Sequence, residues 1–391
     1  MNPTLRALGR RLRLGVVGGG RGSFIGLTHR AAARLDDRYE VVAAVVSSDP
    51  ARSRSVGMAL GISEDRAYPD WRELIRAEMV REDGIDVIAI MTPNGTHFDI
   101  ADAALDAGFD VVCDKPLTTT LDDALRIVGK VQATGLIFCL THNYSAYPMV
   151  RQARAMVRSG VIGKIQQAQL EYVQGYLPPR AEGDAERLGW RFDRSMAGPS
   201  LVLGDIGTHV HHLARYVTGL EIVSVMADVG TNVPERVVDD YAGLLVRYEN
   251  GARGTMWITS AAAGAEHGLA FRIFGEAGGL EWHQEEPNTL RHRKMDGFEE
   301  LMTRRLDGVL TPEAEHASRL EIGHPEGFLE AFANLYADAA DAIAARRNGI
   351  AQDPLSLDFP TALDGAKGMK FILASLESSR TGSWESCQLD S

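Results

Sequence analysis

The segment Gly204-Asp205-Ile206-Gly207-Thr208-His209 sets a carboxylate four residues ahead of an imidazole, and in a helix those two side chains share a face. A carboxylate that orients an imidazole is a general-base arrangement, because histidine titrates near neutrality and its neutral ring can take a hydroxyl proton. The same residues also read as an aspartate N-cap followed by buried, satisfied histidines. His209 and His212 would need a third ligand to hold a metal, and the sequence indicates none, so no metal is expected.

A second set of residues has the pattern of an anion cradle. Gly18-Gly19-Gly20-Arg21-Gly22-Ser23-Phe24-Ile25-Gly26 follows the apolar run Leu14 to Val17 and precedes a helix predicted from near Leu27. Strand, glycine loop and helix in that order bring the amides of a helix N-terminus up to a pyrophosphate, although a plain tight turn would use the same residues. The expected dinucleotide contacts here are Gly18, Gly20, Ser23, Phe24 and Ile25. Ser23 occupies the third position of G-x-G-x-x-G and Gly26 comes three residues later, which predicts a longer loop than usual.

The end of the next apolar run, Val46-Ser47-Ser48-Asp49-Pro50-Ala51-Arg52, bears on the choice of cofactor. An acid at this place holds the adenosine ribose and repels a 2′-phosphate, whereas a serine with a nearby arginine accepts one. Ser47, Ser48 and Arg52 are the expected contacts, Asp49 could still reach the ribose, and both NAD and NADP stay open. Two further strand ends carry polar residues where open parallel sheets bind ligands. Thr92-Pro93-Asn94-Gly95-Thr96-His97 offers Thr92, Asn94 and His97, and Cys113-Asp114-Lys115-Pro116 offers Asp114 and Lys115. Lys115 is a candidate hydrogen-bond donor to a reacting oxygen, against the plain reading of a surface lysine at a turn.

These residues must be positioned by regular elements. From Leu12 to about Thr141, strand-sized apolar runs (Leu14 to Val17, Val41 to Val46, Asp86 to Met91, Asp110 to Cys113, Leu136 to Leu140) alternate with amphipathic segments such as Ile100 to Gly108 and Leu121 to Gly135. That is the pattern of βαβ units and a parallel sheet covered on both faces. A helix is expected over Pro148 to Gly163, followed by strands at Ile165 to Tyr172, Val223 to Val229, Tyr241 to Tyr248, Ala252 to Ser260 and Leu269 to Phe274. Gly251, Gly275, Gly278 and Gly279 read as tight connections, so this part is an α+β domain with a largely antiparallel sheet. Asp184 to Ser200 and Asn288 to Pro325 read as long loops over a cleft, and Glu326 to Arg347 and Thr361 to Arg380 as helices. The division expected is residues 1–142 for the first domain and 143–391 for the second, with the last helix packing back on the first.

The 391 residues suit two such domains, and 45% hydrophobic residues are enough for sizeable cores. A net charge of −12 has the wrong sign for a general phosphate-backbone binder, so nucleic acid is not an expected partner. Three cysteines without a C-x-x-C pair fit a reducing cytoplasm rather than a disulfide framework. Arg10-Arg11 is not expected to begin an export signal, because Arg13 and the glycines at 18–20 interrupt the apolar stretch behind it. No apolar run approaches the ~18 residues of a membrane span.

In combination these motifs resemble the Gfo/Idh/MocA family, the glucose-fructose oxidoreductase and inositol dehydrogenase group, from Leu12 to about Gly382. The resemblance rests on the glycine loop with His29, Thr92-Pro93-Asn94 with His97, Asp114-Lys115-Pro116, Val161-Ile162-Gly163-Lys164-Ile165, Gly204-Asp205 with His209, and Asp364-Gly365. It implies a Rossmann domain, then an α+β domain whose large, mostly antiparallel open sheet builds a dimer or tetramer interface. It also implies NAD(P)-dependent oxidation of a secondary hydroxyl on a sugar, glycoside or cyclitol, or the reverse reduction. By that resemblance Lys115 contacts substrate hydroxyl and nicotinamide ribose, Asp205 orients substrate and His209 is the general base. Asn143, Tyr144 and Arg191 are further substrate-contact candidates. Asp114 stands where glutamate is commoner, and Asn143-Tyr144-Ser145 where the family often has Asn-Arg-Arg. Rival readings are a glycoside hydrolase that uses retained NAD transiently and a non-enzymatic dinucleotide sensor.

Overall fold

The computed structural model describes residues 2–177, 183, 189–305, 308 and 310–389. Contacts divide the chain into two compact units, Met1–Asn143 with Phe332–Ala366, and Tyr144–Ala331 with Lys367–Ser391. The segment Phe332–Ala366 therefore belongs with the N-terminal residues, and the helix Ala362–Thr381 begins in one unit and ends in the other.

The first unit is built on five parallel strands, β1 (Leu12–Gly18), β2 (Tyr39–Val45), β3 (Val87–Met91), β4 (Asp110–Cys113) and β5 (Phe138–Leu140), in the order β2-β1-β3-β4-β5. Every residue of β3 and β4 is buried, as a strand covered on both faces requires. The helix Leu121–Thr134 starts where Thr120 accepts the Asp123 amide and stops at Gly135, whose φ of +66° suits a residue without Cβ. Two carboxylates tie down the N-terminal ends of β3 and β4. Asp86 accepts from Arg10 (2.5 and 2.9 Å), the Arg13 amide (2.7 Å) and Arg347 (2.8 Å). Asp110 accepts two bonds from Arg346 and one from the Ile137 amide. Burial opposes ionisation of Asp86, but its hydrogen bonds hold the pKa below the usual carboxylate value.

Gly365 closes the same unit: a Cβ there would lie 2.6 Å from the Leu117 Cβ, so only glycine lets the helix approach the turn after β4. The helix Phe24–Leu35 begins at Phe24, three residues earlier than the sequence suggests. Ser23 is its N-cap, so the first helical turn reaches into what reads as loop.

Among the described residues the second unit holds nine strands: β6 (Ile165–Gln174), β7 (Ile222–Gly230), β8 (Tyr241–Tyr248), β9 (Arg253–Thr259), β10 (His267–Gly275), β11 (Gly278–His283), β12 (Thr289–Lys294), β13 (Glu299–Thr303) and β14 (Glu385–Ser386). Their order is β13-β12-β11-β10-β6-β9-β8-β7-β14, antiparallel except for the β6–β9 pair. Buried and open positions alternate along β8, as expected of a sheet with one covered face. The expected loop from Asn288 to Pro325 instead contains β12, β13 and the helix Pro312–His316 among its described residues. Within the other expected loop, Gly189–Phe192 and Arg194–Ala197 are short helices, and residues 184–188 lie outside the described ones. Gly278 and Gly279, read as connections, are the first residues of β11. The helix Pro148–Arg158 ends before Gly163, where Gly160 and Gly163 both take positive φ. No helix among the described residues is long and apolar enough to cross a membrane.

His29, on the helix Phe24–Leu35, is wholly buried between Phe332 and Tyr336, and its Nδ1 lies 2.8 Å from the Tyr336 hydroxyl. Burial pushes its pKa down from the ordinary 6.5 to about 4. Between those values the unfolded chain binds a proton that the folded chain refuses. The contribution to stability is therefore complete above pH 6.5 and lost as pH falls to about 4, by roughly 3 kcal/mol. Urea midpoints measured across pH 4 to 6.5 should fall less steeply on acidification in His29→Gln than in wild type. Equal slopes would show that the folded ring is already protonated.

Candidate active site

The glycine loop is shaped by contacts that exclude side chains. A Cβ on Gly20 would lie 2.1 Å from the Val46 carbonyl oxygen, and one on Gly18 2.4 Å from that of Met91. Gly19 and Gly26 face each other so closely that a Cβ on Gly26 would meet the Gly19 oxygen at 2.2 Å. Gly26 thus performs the helix-packing role of the third motif glycine from within the first helical turn. Gly22, at φ +85°, has open space where a Cβ would point. Arg30, one turn further along the helix, donates to the Gly19 carbonyl at 2.5 Å and braces the loop. A backbone cradle with glycines at its close approaches and a helix N-terminus behind it fits a dinucleotide pyrophosphate. The Ser23 hydroxyl is engaged as N-cap, accepting from the Gly26 amide at 3.1 Å. After β2, Asp49 caps the helix Pro50–Ala59 by accepting the Arg52 amide at 2.7 Å, and the Ser47 hydroxyl accepts the Asp49 amide. Ser48 and Arg52 are exposed.

The ends of β3 and β4 are fastened together by His97. Its ring, expected at the cofactor, is wholly buried, with Nδ1 2.8 Å from the Pro116 carbonyl oxygen and Nε2 2.9 Å from that of Thr92. Burial lowers its pKa, against the pull of the Asp114 carboxylate. The neutral ring donates to one of the two oxygens, and only the protonated ring donates to both. Asp114 accepts from the Lys115 amide (2.9 Å) and from the Thr141 hydroxyl (3.0 Å), so the shorter acid still holds the turn that carries Lys115. Asn94 opens the short 3₁₀ turn Asn94–Thr96 between Thr92 and His97.

In the second unit one continuous helical segment carries the other candidates. Leu203–Gly207 forms a π turn, with the Thr208 amide reaching back to the Leu203 carbonyl, and the α-helix Thr208–Thr218 follows. Such bulges occur often at functional sites. Asp205 lies within the π turn and His209 near the start of the α-helix, so the helical premise of the sequence reading holds with one widened turn. His209 is buried against Tyr144, ring centroids 4.8 Å apart and nearly perpendicular, and Tyr172 stands 6.4 Å away. The Tyr144 and Tyr172 hydroxyls are 2.6 Å apart. Burial raises the pKa of both phenols, and the nearby Asp205 charge raises them further, so both keep their protons. Tyr172 was not among the sequence candidates; its one signal was an inward position in an alternating strand. Asn143 is buried and belongs to the first unit, whereas Tyr144 belongs to the second. Arg191 stacks over Trp190 at 4.6 Å.

Known proteins resemble this chain along nearly its whole length. Residues 12–142 match the family described as oxidoreductase, NAD-binding Rossmann fold, and residues 150–281 the GFO/IDH/MocA C-terminal domain. An uncharacterized oxidoreductase of Bacillus subtilis, YfiI, is 34% identical over 97% of both chains. An inositol dehydrogenase homolog from Azotobacter vinelandii, in complex with NAD+, is 36% identical with a TM-score of 0.92, over 99% of this chain and 100% of that one. The same homolog with NADH and myo-inositol gives 35% and 0.89 over the same shares. Levoglucosan dehydrogenase of Pseudarthrobacter phenanthrenivorans is 29% identical over 72% of this chain and 76% of its own. The chain belongs to the Gfo/Idh/MocA family. It is an oxidoreductase with an NAD-binding Rossmann domain that acts on CH–OH donors, and its relatives include a scyllo-inositol 2-dehydrogenase of Bacillus subtilis and a myo-inositol 2-dehydrogenase of Thermotoga maritima.

Because Gly26 has no room for a methyl group, Gly26→Ala should push the helix off the loop and weaken NADH binding at least tenfold, about 1.4 kcal/mol. A fluorescence titration measures this, and unchanged affinity would show that the loop relaxes freely.

Proposed function

We propose that the protein oxidises a secondary ring hydroxyl of a cyclitol or sugar to the ketone, or runs the reverse reduction, with inositol-type polyols as the first substrate class to test. The observation that carries this reading is the Asp205–His209 helix, with its histidine walled by Tyr144 and Tyr172, in a chain similar throughout to a homolog seen with NADH and myo-inositol. When bound, the nicotinamide supplies the hydride acceptor. His209 takes the hydroxyl proton, Asp205 orients the substrate and the histidine, and Lys115 donates to the developing alkoxide. The turn held by Asp114, Thr141 and His97 keeps the lysine in place, which limits the entropy lost on reaching the reactive arrangement. Thr92, Asn94 and the glycine loop bind the dinucleotide. Tyr144 and Arg191 are assigned to substrate contact, with Tyr144 bringing a neutral, aromatic wall in place of a guanidinium. The Ser47 and Arg52 pair leaves the ribose end open to NAD or NADP, so the assay runs both.

A second copy of the chain is the proposed cover for the open face of the large sheet, where Leu245, Trp257 and Phe274 are 51%, 47% and 39% exposed. Light scattering should give a multiple of 42.5 kDa, and Trp257→Glu should shift it toward the monomer. A monomeric wild type would remove that assignment.

Reduced-nicotinamide absorbance, with each cofactor offered separately against inositols, free sugars and methyl glycosides, tests the activity directly. His209→Ala and Lys115→Ala should each lower kcat on the best substrate by about 10²–10⁴ while dinucleotide affinity changes little. Wild-type turnover in both variants would overturn the role assignments.

A further inference from the structure

We propose that Asp239 is a positioning residue of the oxidoreductase reaction, acting through the Asp205–His209 pair; the inference rests on the roles proposed for that pair. Asp239 lies on the connection between β7 and β8, 37 to 39 residues beyond the helix start it holds. Its carboxylate accepts the Ser200 hydroxyl at 2.5 Å, the Leu201 amide at 3.0 Å and the Val202 amide at 2.9 Å. The Ser200 hydroxyl in turn accepts the Leu203 amide at 3.1 Å. The first amides of a helix have no partner within it, and here a remote carboxylate takes the Leu201 and Val202 amides while the local cap Ser200 takes that of Leu203. The favourable sign of charge at a helix N-terminus adds to the hold.

The carboxylate is itself fixed by its neighbours on both sides. Asp240 is wholly buried with Arg236 at 2.8 Å and accepts the amides of Asn232 and Val233. The Asp240 carbonyl accepts from the Thr259 hydroxyl and the Ser260 amide at the end of β9. The enclosed turn includes Glu235 at φ +67°, a left-handed conformation uncommon outside glycine. On the other side, Val238 packs with Leu177, Leu201 and Phe192, the residue next to Arg191. Three successive residues therefore lock a strand end, the start of the helix bearing Asp205 and His209, and the segment bearing Arg191.

The need for such a lock follows from the π turn. Leu203–Gly207 has one residue more per turn than the helix after it, so its register is set by where the segment starts. A slip of one residue turns a helical side chain by about 100°. Asp205 lies three residues after the last amide that Asp239 holds, and His209 lies four beyond that. A loosened start would misdirect both groups.

The test compares Asp239→Ala, Asp239→Asn, Asp239→Glu, Ser200→Ala and His209→Ala in full-length enzyme, measuring kcat, KM, NADH affinity and melting temperature. Asp239→Ala should lower kcat ten- to a hundredfold with KM within threefold and NADH affinity within twofold of wild type. Asp239→Glu should recover kcat to within fivefold of wild type, with Asp239→Asn and Ser200→Ala between the extremes. A lowered melting temperature with kcat intact in the folded fraction would overturn the proposal, leaving Asp239 only structural. If Asp239→Ala does not fold, Asp239→Asn and Ser200→Ala decide it by the same kcat criterion. Full turnover in His209→Ala would sink the reading of the pair, and loss in His209→Ala with full turnover in the Asp239 and Ser200 variants would sink this inference alone.

Discussion

The approach of two backbones, Gly19 just after β1 and Gly26 in the first turn of the following helix, is the constraint on which the first unit's ligand chemistry depends. With a Cβ on either residue the two segments would overlap, so the helix start could not reach the strand end. The amides at that helix start are the groups able to receive a pyrophosphate without a charged side chain. Arg30 holds the loop from behind through the Gly19 carbonyl, leaving its open side free of bulk. From the same strand ends, His97 and Asp114 carry the arrangement on to Lys115 by fixing the two neighbouring turns to each other.

The second unit places its chemistry differently. Its reactive candidates sit on a helix rather than on strand ends, and the π turn gives Asp205 a partly open position while His209 stays buried among tyrosines. Phenols that keep their protons make a hydrogen-bonding wall without a competing charge beside the imidazole. The charge acting on this wall is that of Asp205, and further charge lies in Asp239 and in the Asp240–Arg236 pair, where each carboxylate is met by several donors. Buried charge is tolerable on those terms, because every ion has a partner and hydrogen bonds of good length.

The sequence was most legible where one physical effect dominates the pattern. The strands of the first unit stand out because burial on both faces leaves unbroken apolar runs, and the motifs Gly18 to Gly26, Asp114-Lys115-Pro116 and Asp205 with His209 declare themselves by order and spacing. The helix start at Phe24 was obscured because glycines on both sides of Ser23 read as loop, although Ser23 is a good N-cap. Strands β12 and β13 were hidden for another reason. Their exposed faces pair across the sheet by charge, Arg291 with Glu299 at 2.9 Å and Arg293 with Glu299 at 2.7 Å, so polar content mimicked a loop. Asp239 and Tyr172 act through partners distant in sequence, and no local pattern marks them.

The discontinuous first unit has a consequence for how the chain is made. Residues 12–143 contain all five strands of its sheet, yet the Asp86 and Asp110 carboxylates wait for Arg347 and Arg346, and the His29 pocket for Phe332 and Tyr336. Synthesis at about 5–20 residues per second leaves roughly 10–40 s between Asn143 and Arg347. During that interval Asp86 has Arg10 but not Arg347, and Asp110 has the Ile137 amide but neither arginine, so order of synthesis and order of completion differ. The large sheet is likewise finished last at its β7 edge, where Glu385 and Ser386 pair only once nearly the whole chain has emerged.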